Sequence, residues 1–216
     1  MKLAIRARDR LLQDRLVWQS ASLLLSYPDQ SWVDRLETAD RLLAHVTAPS
    51  VDLLTKTVAA LRDRDSQQAA IDYVATFDMN RRTTMYLTYW TAGDTRNRGN
   101  EMHTFVAAYR GAGVAPPRNE APDHLPVVLE FAATVDPDAG RQLLTEYRVS
   151  IEMLRTALAD SDSMYEPAVA AVCATLGPPT DDHIRRAQRL AKAGPPAEAV
   201  GLQPFTLTVP PRREAR

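Results

Sequence analysis

Glycine and proline are missing from two long stretches of this chain: none precedes Pro28, and none lies between Pro49 and Gly93. Both residues break helices, glycine through backbone entropy and proline through its missing N–H and its ring. With leucine and alanine abundant as well, helix is the favoured backbone state over most of the first half. Apolar residues three and four apart point the same way. The spacing predicts a first helix from Asp9 to Tyr27, with Leu12, Leu16, Leu23 and Tyr27 on one face and Val17, Leu24 and Leu25 on the next. Pro28 ends it. A second helix, capped by Asp29 or Ser31, runs to Val46 with Trp32, Leu36, Leu43 and Val46 inward. Ser50 caps a third to Arg62, and Ser66 a fourth to Phe77; each cap supplies a side-chain oxygen to an otherwise unpaired N–H.

Residues Arg81 to Thr91 read as a fifth, aromatic-rich helix, although the alternation of Tyr and Thr there also suits a strand. Asp94 or Thr95 caps the next helix, which runs to Arg110 with Met102, Phe105, Val106 and Tyr109 inward. Gly99 inside it costs about 1 kcal/mol relative to alanine, so close helix packing is expected at that point. Asp136 followed by Pro137 starts a helix carrying Leu143, Leu144, Tyr147, Ile151, Leu154 and Leu158 at helical spacing. Helices over Ser163–Leu176 and Asp181–Ala193 follow, separated by Gly177-Pro178-Pro179. Prolines 195, 196, 204, 210 and 211 then forbid a continuous helix. The expected fold is all-α, a single helical bundle over residues 1–202 with a flexible tail at 203–216.

A chain of 216 residues suffices for one domain with a substantial core. Its net charge of −1 argues against nucleic acid, whose binding rests on a surplus of cations. Cys173 is the sole cysteine, so no intrachain disulfide can form, and its Ala/Val-rich neighbourhood makes it a small buried hydrophobe. The basic N-terminus lacks the apolar stretch of a signal peptide, and no segment approaches the roughly 18 apolar residues of a membrane span. A cytoplasmic location without membrane insertion is expected.

The segment from Glu120 to Phe131 concentrates what chemistry there is. Glu120, Asp123 and Glu130 are carboxylates, His124 is one of four histidines, and Pro122 and Pro126 flank a helix start. Asp123 is placed to cap that helix, with Pro126 in the first turn, where its missing N–H breaks no helical bond. Leu125, Val128, Leu129 and Ala132 make its buried face. Asp123 and Glu130 fall on another face, so with Glu120 they form an expected exposed acidic ledge. His103, His124, Asp123 and Glu130 are metal-ligand types, but no His-x3-His or Cys-x2-Cys spacing joins them. No nucleophile elbow, P-loop or His-Glu-x-x-His occurs. Arg96 and Arg98, at the helix start after Gly93, suit an anion but lack the lysine of a nucleotide loop. A binding module whose ledge receives a basic amphipathic segment is the favoured reading. A small enzyme built on Asp123, His124 and Glu130 is the alternative.

Several blocks together resemble the nitrate reductase delta-subunit family: Tyr73-Val-Ala-Thr-Phe-Asp78, Arg81-Arg82, Tyr86-Leu-Thr-Tyr89, Gly93-Asp-Thr-Arg-x-Arg-Gly99, Ala107-Ala-Tyr-Arg110, and Glu120-x-Pro-Asp-His-Leu-Pro126 with Leu129-Glu-Phe131. The resemblance runs from about Asp14 to Gly201. It implies an all-helical chaperone of the redox-enzyme maturation type, with no catalytic activity and no cofactor of its own. Such a chaperone binds the immature catalytic (alpha) subunit of respiratory nitrate reductase, partly through that subunit's N-terminal segment. It holds the subunit open for insertion of the molybdenum cofactor, restrains premature membrane docking and is absent from the finished enzyme. Carried over by motif, the partner-binding residues are Glu120, Pro122, Asp123, His124 and Glu130, joined by Arg96 and Arg98. A related chaperone serving another molybdoenzyme is the runner-up.

Overall fold

In the computed structural model, which describes residues 2–93 and 96–194, the first helix is the axis around which the others pack. It is α1 (Lys2–Leu25), which starts well before the expected Asp9 and stops short of Tyr27. Its buried stripe is Val17, Trp18, Ala21, Leu24 and Leu25, while Leu12 and Tyr27, expected inward, are 52% and 48% exposed. The run Leu23-Leu24-Leu25 is apolar on every side, so spacing alone cannot choose the stripe. The choice falls on the line through Trp18, Ala21 and Leu25 because α1 is wrapped by four later helices.

The next elements are α2 (Trp32–Leu43), α3 (Ser50–Arg62) and α4 (Ser66–Tyr73). Trp32, Leu36, Leu43 and Val46 are all buried, as expected. Ser31 and Ser50 donate no capping acceptor, and α4 is capped by Asp65 rather than Ser66, through the Gln68 N–H at 2.8 Å. From Val74 to Asp78 the backbone widens into a π-turn. That widened turn seats Phe77 between the rings of Tyr73 and Tyr165, each 4.8 Å away. Aromatic pairs at this range add about 0.5–1.5 kcal/mol beyond their buried area.

Residues 81–91 do not form the expected helix. A 3-10 turn (Arg81–Thr83) leads into extended backbone, and only Tyr89–Ala92 coils, as the single turn α5. Tyr86 and His124 make an antiparallel bridge, with Leu87 N–H to Asp123 O at 3.0 Å and Leu125 N–H to Met85 O at 2.9 Å. The alternation of Tyr and Thr suits this extended pairing better than a helix.

The remaining helices are α6 (Arg96–Gly111), α7 (Leu125–Thr134), α8 (Pro137–Glu146), α9 (Arg148–Asp160), α10 (Glu166–Thr175) and α11 (Asp181–Ala193). The single helix expected from Asp136 is two, divided at Tyr147, but its six named apolar residues are all buried. Asp136 caps α8 as expected, accepting from Asp138 N–H and Ala139 N–H. α1 packs on α2, α3, α7 and α10, α7 on α8, α10 on α3 and α9, and α11 chiefly on α9. The expected caps Asp94 and Thr95, the boundary at 202 and the tail 203–216 lie outside the described residues.

Buried polar groups tie α1 to this wrapping. Asp14 receives Arg141 Nη2 at 2.7 Å, and the same guanidinium lies 4.8 Å above the Trp18 ring. Trp18 Nε1 donates to Thr175 Oγ1 at 2.9 Å, and Ser22 Oγ to Pro126 O at 2.8 Å. The close helix approach expected at Gly99 occurs at Gly140 instead. A Cβ on Gly140 would run into the backbone and side chain of Ala132, whereas a Cβ on Gly99 would meet nothing within 4 Å.

The same substitution at these two glycines is therefore expected to act in opposite directions. Gly99→Ala gains helix propensity, up to about 1 kcal/mol. Gly140→Ala must force α7 and α8 apart and loses about 1–3 kcal/mol through overpacking. Urea unfolding of both variants measures the two signs.

Candidate functional site

Proline and carbonyl chemistry set the path of the segment before α7. Tyr109 of α6 donates its hydroxyl to Pro122 O at 2.6 Å, the bridge to Met85 and Leu87 holds the next residues, and Ser22 holds Pro126 O. Three separate parts of the chain thus grip five consecutive residues. Leu125, Val128, Leu129 and Ala132 then bury completely, as their spacing predicted.

Asp123 is neither the helix cap nor part of a ledge. His124 occupies the N-cap position without a side-chain cap bond, and Asp123 is 0% exposed. Its Oδ2 accepts from Thr88 N–H at 3.1 Å and Thr88 Oγ1–H at 2.6 Å. Arg98 Nε donates to the same Thr88 hydroxyl at 3.2 Å, and Arg98 Nη2 stands 3.8 Å from Asp123 Oδ2. Asp123 Oδ1 is buried and has no hydrogen-bond partner among the described residues. A carboxylate brought into the interior is costly unless donors and a cation compensate it, and Thr88 with Arg98 supply both. The local cap rule misplaced Asp123 because its real partner lies 35 residues earlier in the chain.

Above this buried group the side chains form a layered surface. The Arg98 guanidinium lies 5.0 Å from the Tyr86 ring centre, and the Tyr86 ring 5.3 Å from that of His124. His124 Nδ1 is 3.4 Å from Glu120 Oε2, and the Glu120 side chain is 52% exposed. The order is cation, phenol, imidazole, carboxylate. Burial holds the His124 pKa below its ordinary value, with Glu120, Asp123 and Asp78 pulling the other way. The imidazole therefore sits neutral beside Glu120 at pH 7.

Glu120, Pro122, Asp123, His124 and Arg98 are thus brought together, though only Glu120 among them is exposed. Glu130 is not in the group. It is exposed at the rim of a separate apolar cleft of about 230 Å³ lined by Tyr109, Val114, Val127, Phe131 and Val135. Arg96 begins α6, and its side chain lies outside the described residues. Thr88 stands in the Tyr86-Leu-Thr-Tyr89 block, but beyond that block and the Tyr/Thr alternation nothing local marks it as the partner of Asp123. Among the described residues no three His, Cys, Asp or Glu side chains are grouped to hold a metal ion.

This gripped segment and its layered surface fall inside the part of the chain matched by a known family. The model of the nitrate reductase delta subunit matches residues 40–171. The chain belongs to the nitrate reductase delta subunit family. It is 58% identical over 160 residues to the nitrate reductase-like protein NarX of Mycobacterium tuberculosis, a match covering 74% of this chain but only 24% of NarX. It is 31% identical over 163 residues to Bacillus subtilis NarJ, a protein named for molybdenum cofactor assembly on nitrate reductase, covering 75% of this chain and 89% of that one. With NarJ of Escherichia coli, named as the same kind of chaperone, it shares 29% over 147 residues, 67% of this chain and 62% of that one. A crystal structure from Archaeoglobus fulgidus, assigned to the redox enzyme maturation proteins, superimposes with a TM-score of 0.57 at 21% identity, covering 76% of this chain and 94% of the other. That likeness extends the all-helical fold of this delta-subunit family member to a distant sequence.

Two measurements probe the site. Asp123→Ala leaves the Thr88 N–H and O–H donors without their acceptor in the interior, at about 1–3 kcal/mol for each group. Asp123→Asn keeps an acceptor for Thr88 and loses only the charge facing Arg98, so its urea midpoint should fall less. Equal losses would mean that the charge, and not the acceptor, carries the contact.

The second concerns pH. His124 has a lowered folded-state pKa, while the unfolded value is about 6.5. The unfolded chain therefore binds more protons between these two values, and stability falls as pH falls through that window. The contribution is fully present above about pH 6.5. The melting temperature should drop between pH 7.5 and 5.5, and drop less in His124→Gln.

Proposed function

We propose that this chain is an assembly chaperone for the catalytic (alpha) subunit of a respiratory nitrate reductase. It binds the immature subunit, including its N-terminal segment, keeps it open while the molybdenum cofactor is inserted, and leaves before the finished enzyme docks on the membrane. The observation that carries this reading is the likeness to Bacillus subtilis NarJ, which takes in 89% of that protein and includes the whole gripped segment. The match to NarX covers 24% of a longer protein, so the same domain also exists as one part of a larger chain.

The cofactor is cargo of the partner in this reading, and the chain performs no catalysis. The enzyme alternative needs Asp123, His124 and Glu130 around one cleft. It is weakened because Asp123 is buried and Glu130 lies on a different cleft. No helix among the described residues is long and apolar enough to cross a membrane, which is compatible with action in the cytoplasm. The exposed edge of the layered surface, Glu120 with the partly exposed Tyr86 and Arg98, is the proposed partner contact. Its mixed charge and aromatic character suits a basic, apolar-bearing segment more than nucleic acid.

Capture experiments decide the reading. The tagged chain should retain the catalytic subunit from cells unable to make the molybdenum cofactor, and release it once cofactor is supplied. Equal retention of cofactor-free and finished enzyme would sink the chaperone reading, and capture of another molybdoenzyme in its place would reassign the client. Glu120→Lys reverses an exposed charge, so its melting temperature should stay close to wild type while affinity for the cofactor-free subunit falls by about tenfold, the equivalent of 1.4 kcal/mol.

A further inference from the structure

The first half of α1 carries two arginines that the fold does not use. Arg6 and Arg10 are exposed, stand four apart on one face of the helix, and meet no carboxylate among the described residues. Elsewhere arginines are matched: Arg35, Arg64, Arg148 and Arg155 each lie 2.7–3.2 Å from an acidic oxygen. Like charges at this spacing weaken a helix instead of supporting it. The pair therefore has no structural use that would account for it.

Both arginines face a cleft of about 540 Å³, lined also by Ala7 and Leu11 of α1 and by Asp138 and Arg141 of α8. That is the size of a small-molecule site and exceeds what a single ion fills. Arg141 is already fixed in place. Its Nη2 donates to Asp14 at 2.7 Å, its Nη1 to Thr175 O at 3.3 Å, and the guanidinium lies 4.8 Å over the Trp18 ring. Asp14 balances its charge, but a guanidinium has five N–H groups, and the Arg141 side chain is still 33% exposed. Arg6 and Arg10 add positive charge that nothing balances but Asp138, which is exposed and has no ion pair among the described residues. Asp9, beside them in sequence, is not part of the lining.

We propose that the cleft between α1 and α8 binds a soluble phosphate monoester that carries hydroxyl groups, the chemistry of a sugar phosphate. The phosphoryl group, close to doubly charged at neutral pH, meets Arg6 and Arg10. The held guanidinium of Arg141 offers its remaining N–H groups in a fixed fork, the geometry that recognises phosphate oxygens. Asp138 accepts from a ligand hydroxyl, and Ala7 with Leu11 lies against the carbon skeleton. Asp138 is what narrows the class. It repels a bare inorganic phosphate, which also leaves most of the cleft empty, and it is satisfied only by a ligand with donors next to the phosphoryl group. A phospholipid headgroup carries a single charge on its phosphodiester, where two cations wait. The site is separate from Glu120 and does not depend on the chaperone reading.

Calorimetry on the full chain at low ionic strength, with glucose 6-phosphate, inorganic phosphate and phosphatidylglycerol vesicles as probes, tests the site. Glucose 6-phosphate should bind at least tenfold more tightly than inorganic phosphate and raise the melting temperature. The double variant Arg6→Gln with Arg10→Gln keeps good helix formers and removes a repulsion. Without ligand it should therefore melt no lower than wild type, while its affinity for glucose 6-phosphate falls at least tenfold. Asp138→Ala should lower the preference for glucose 6-phosphate over inorganic phosphate roughly tenfold, because the hydroxyl acceptor and the repulsion of the bare ion are lost together. Equal wild-type affinity for the two phosphates would reduce the cleft to a basic patch and overturn the proposal. Binding to the vesicles alone would overturn it in favour of a membrane-facing surface, and no binding to any probe would end it. A lower melting temperature of the ligand-free double variant would show that the two arginines hold the fold, and would overturn it as well. None of these outcomes bears on the chaperone reading.

Discussion

The hydrogen bonds from Thr88 to the buried Asp123 carboxylate are the contact on which the candidate site depends. They join a stretch with no helix of its own, between the 3-10 turn and α5, to the entrance of α7. Charge-assisted hydrogen bonds are about twice as strong as neutral ones, and a carboxylate out of water needs them. Arg98 completes the arrangement from α6 by donating to the Thr88 hydroxyl. Because the buried end is held, the outer ends of the same residues are held too. Tyr86 is bridged to His124, and Arg98 is kept above the Tyr86 ring. The exposed surface is therefore preorganised by an interaction no partner can touch.

The same segment is anchored to the axis of the fold. Ser22 of α1 binds the Pro126 carbonyl, and α1 packs against α2, α3, α7 and α10. Asp14, Arg141 and Trp18 fasten α8 to that axis as well. Buried polar pairs of this kind contribute little net stability but select one arrangement of helices, since any slip leaves a charge or a carbonyl unsatisfied. The core side of the site is rigid for that reason. α11 is the opposite case, with no buried side chain and α9 as its main neighbour among the described residues. On the chaperone reading proposed above, a rigid side and a loosely packed helix both have a use in one domain.

Most of the helical architecture was legible in the sequence. α11 matches its expected limits, Asp136 caps α8 as expected, and the stripes of α2, α7, α8 and α9 bury the residues their spacing named. The candidate site was legible in position but not in geometry. Glu120, Pro122, Asp123, His124 and Arg98 do assemble, yet the acidic ledge does not, since Asp123 faces inward and Glu130 sits on another cleft. Thr88, which receives the Asp123 carboxylate, has no local signal of that role, since the two are 35 residues apart.

Those limits have one physical cause. Helix periodicity, caps and breakers act within about four residues, so a single sequence determines them: an all-helical chain, where its helices run, and which segment is too rich in prolines and ionisable groups to be ordinary. Contacts between distant residues have no such local signature. Only the tertiary structure decided that Asp123 serves Thr88 instead of capping α7, because the two are 35 positions apart. It also decided that Tyr86 pairs with His124, that Gly140 and not Gly99 meets a neighbouring helix, and that the α1 stripe runs through Trp18. In each case several side-chain placements satisfy the local rules equally, and burial against a partner elsewhere in the chain selects one.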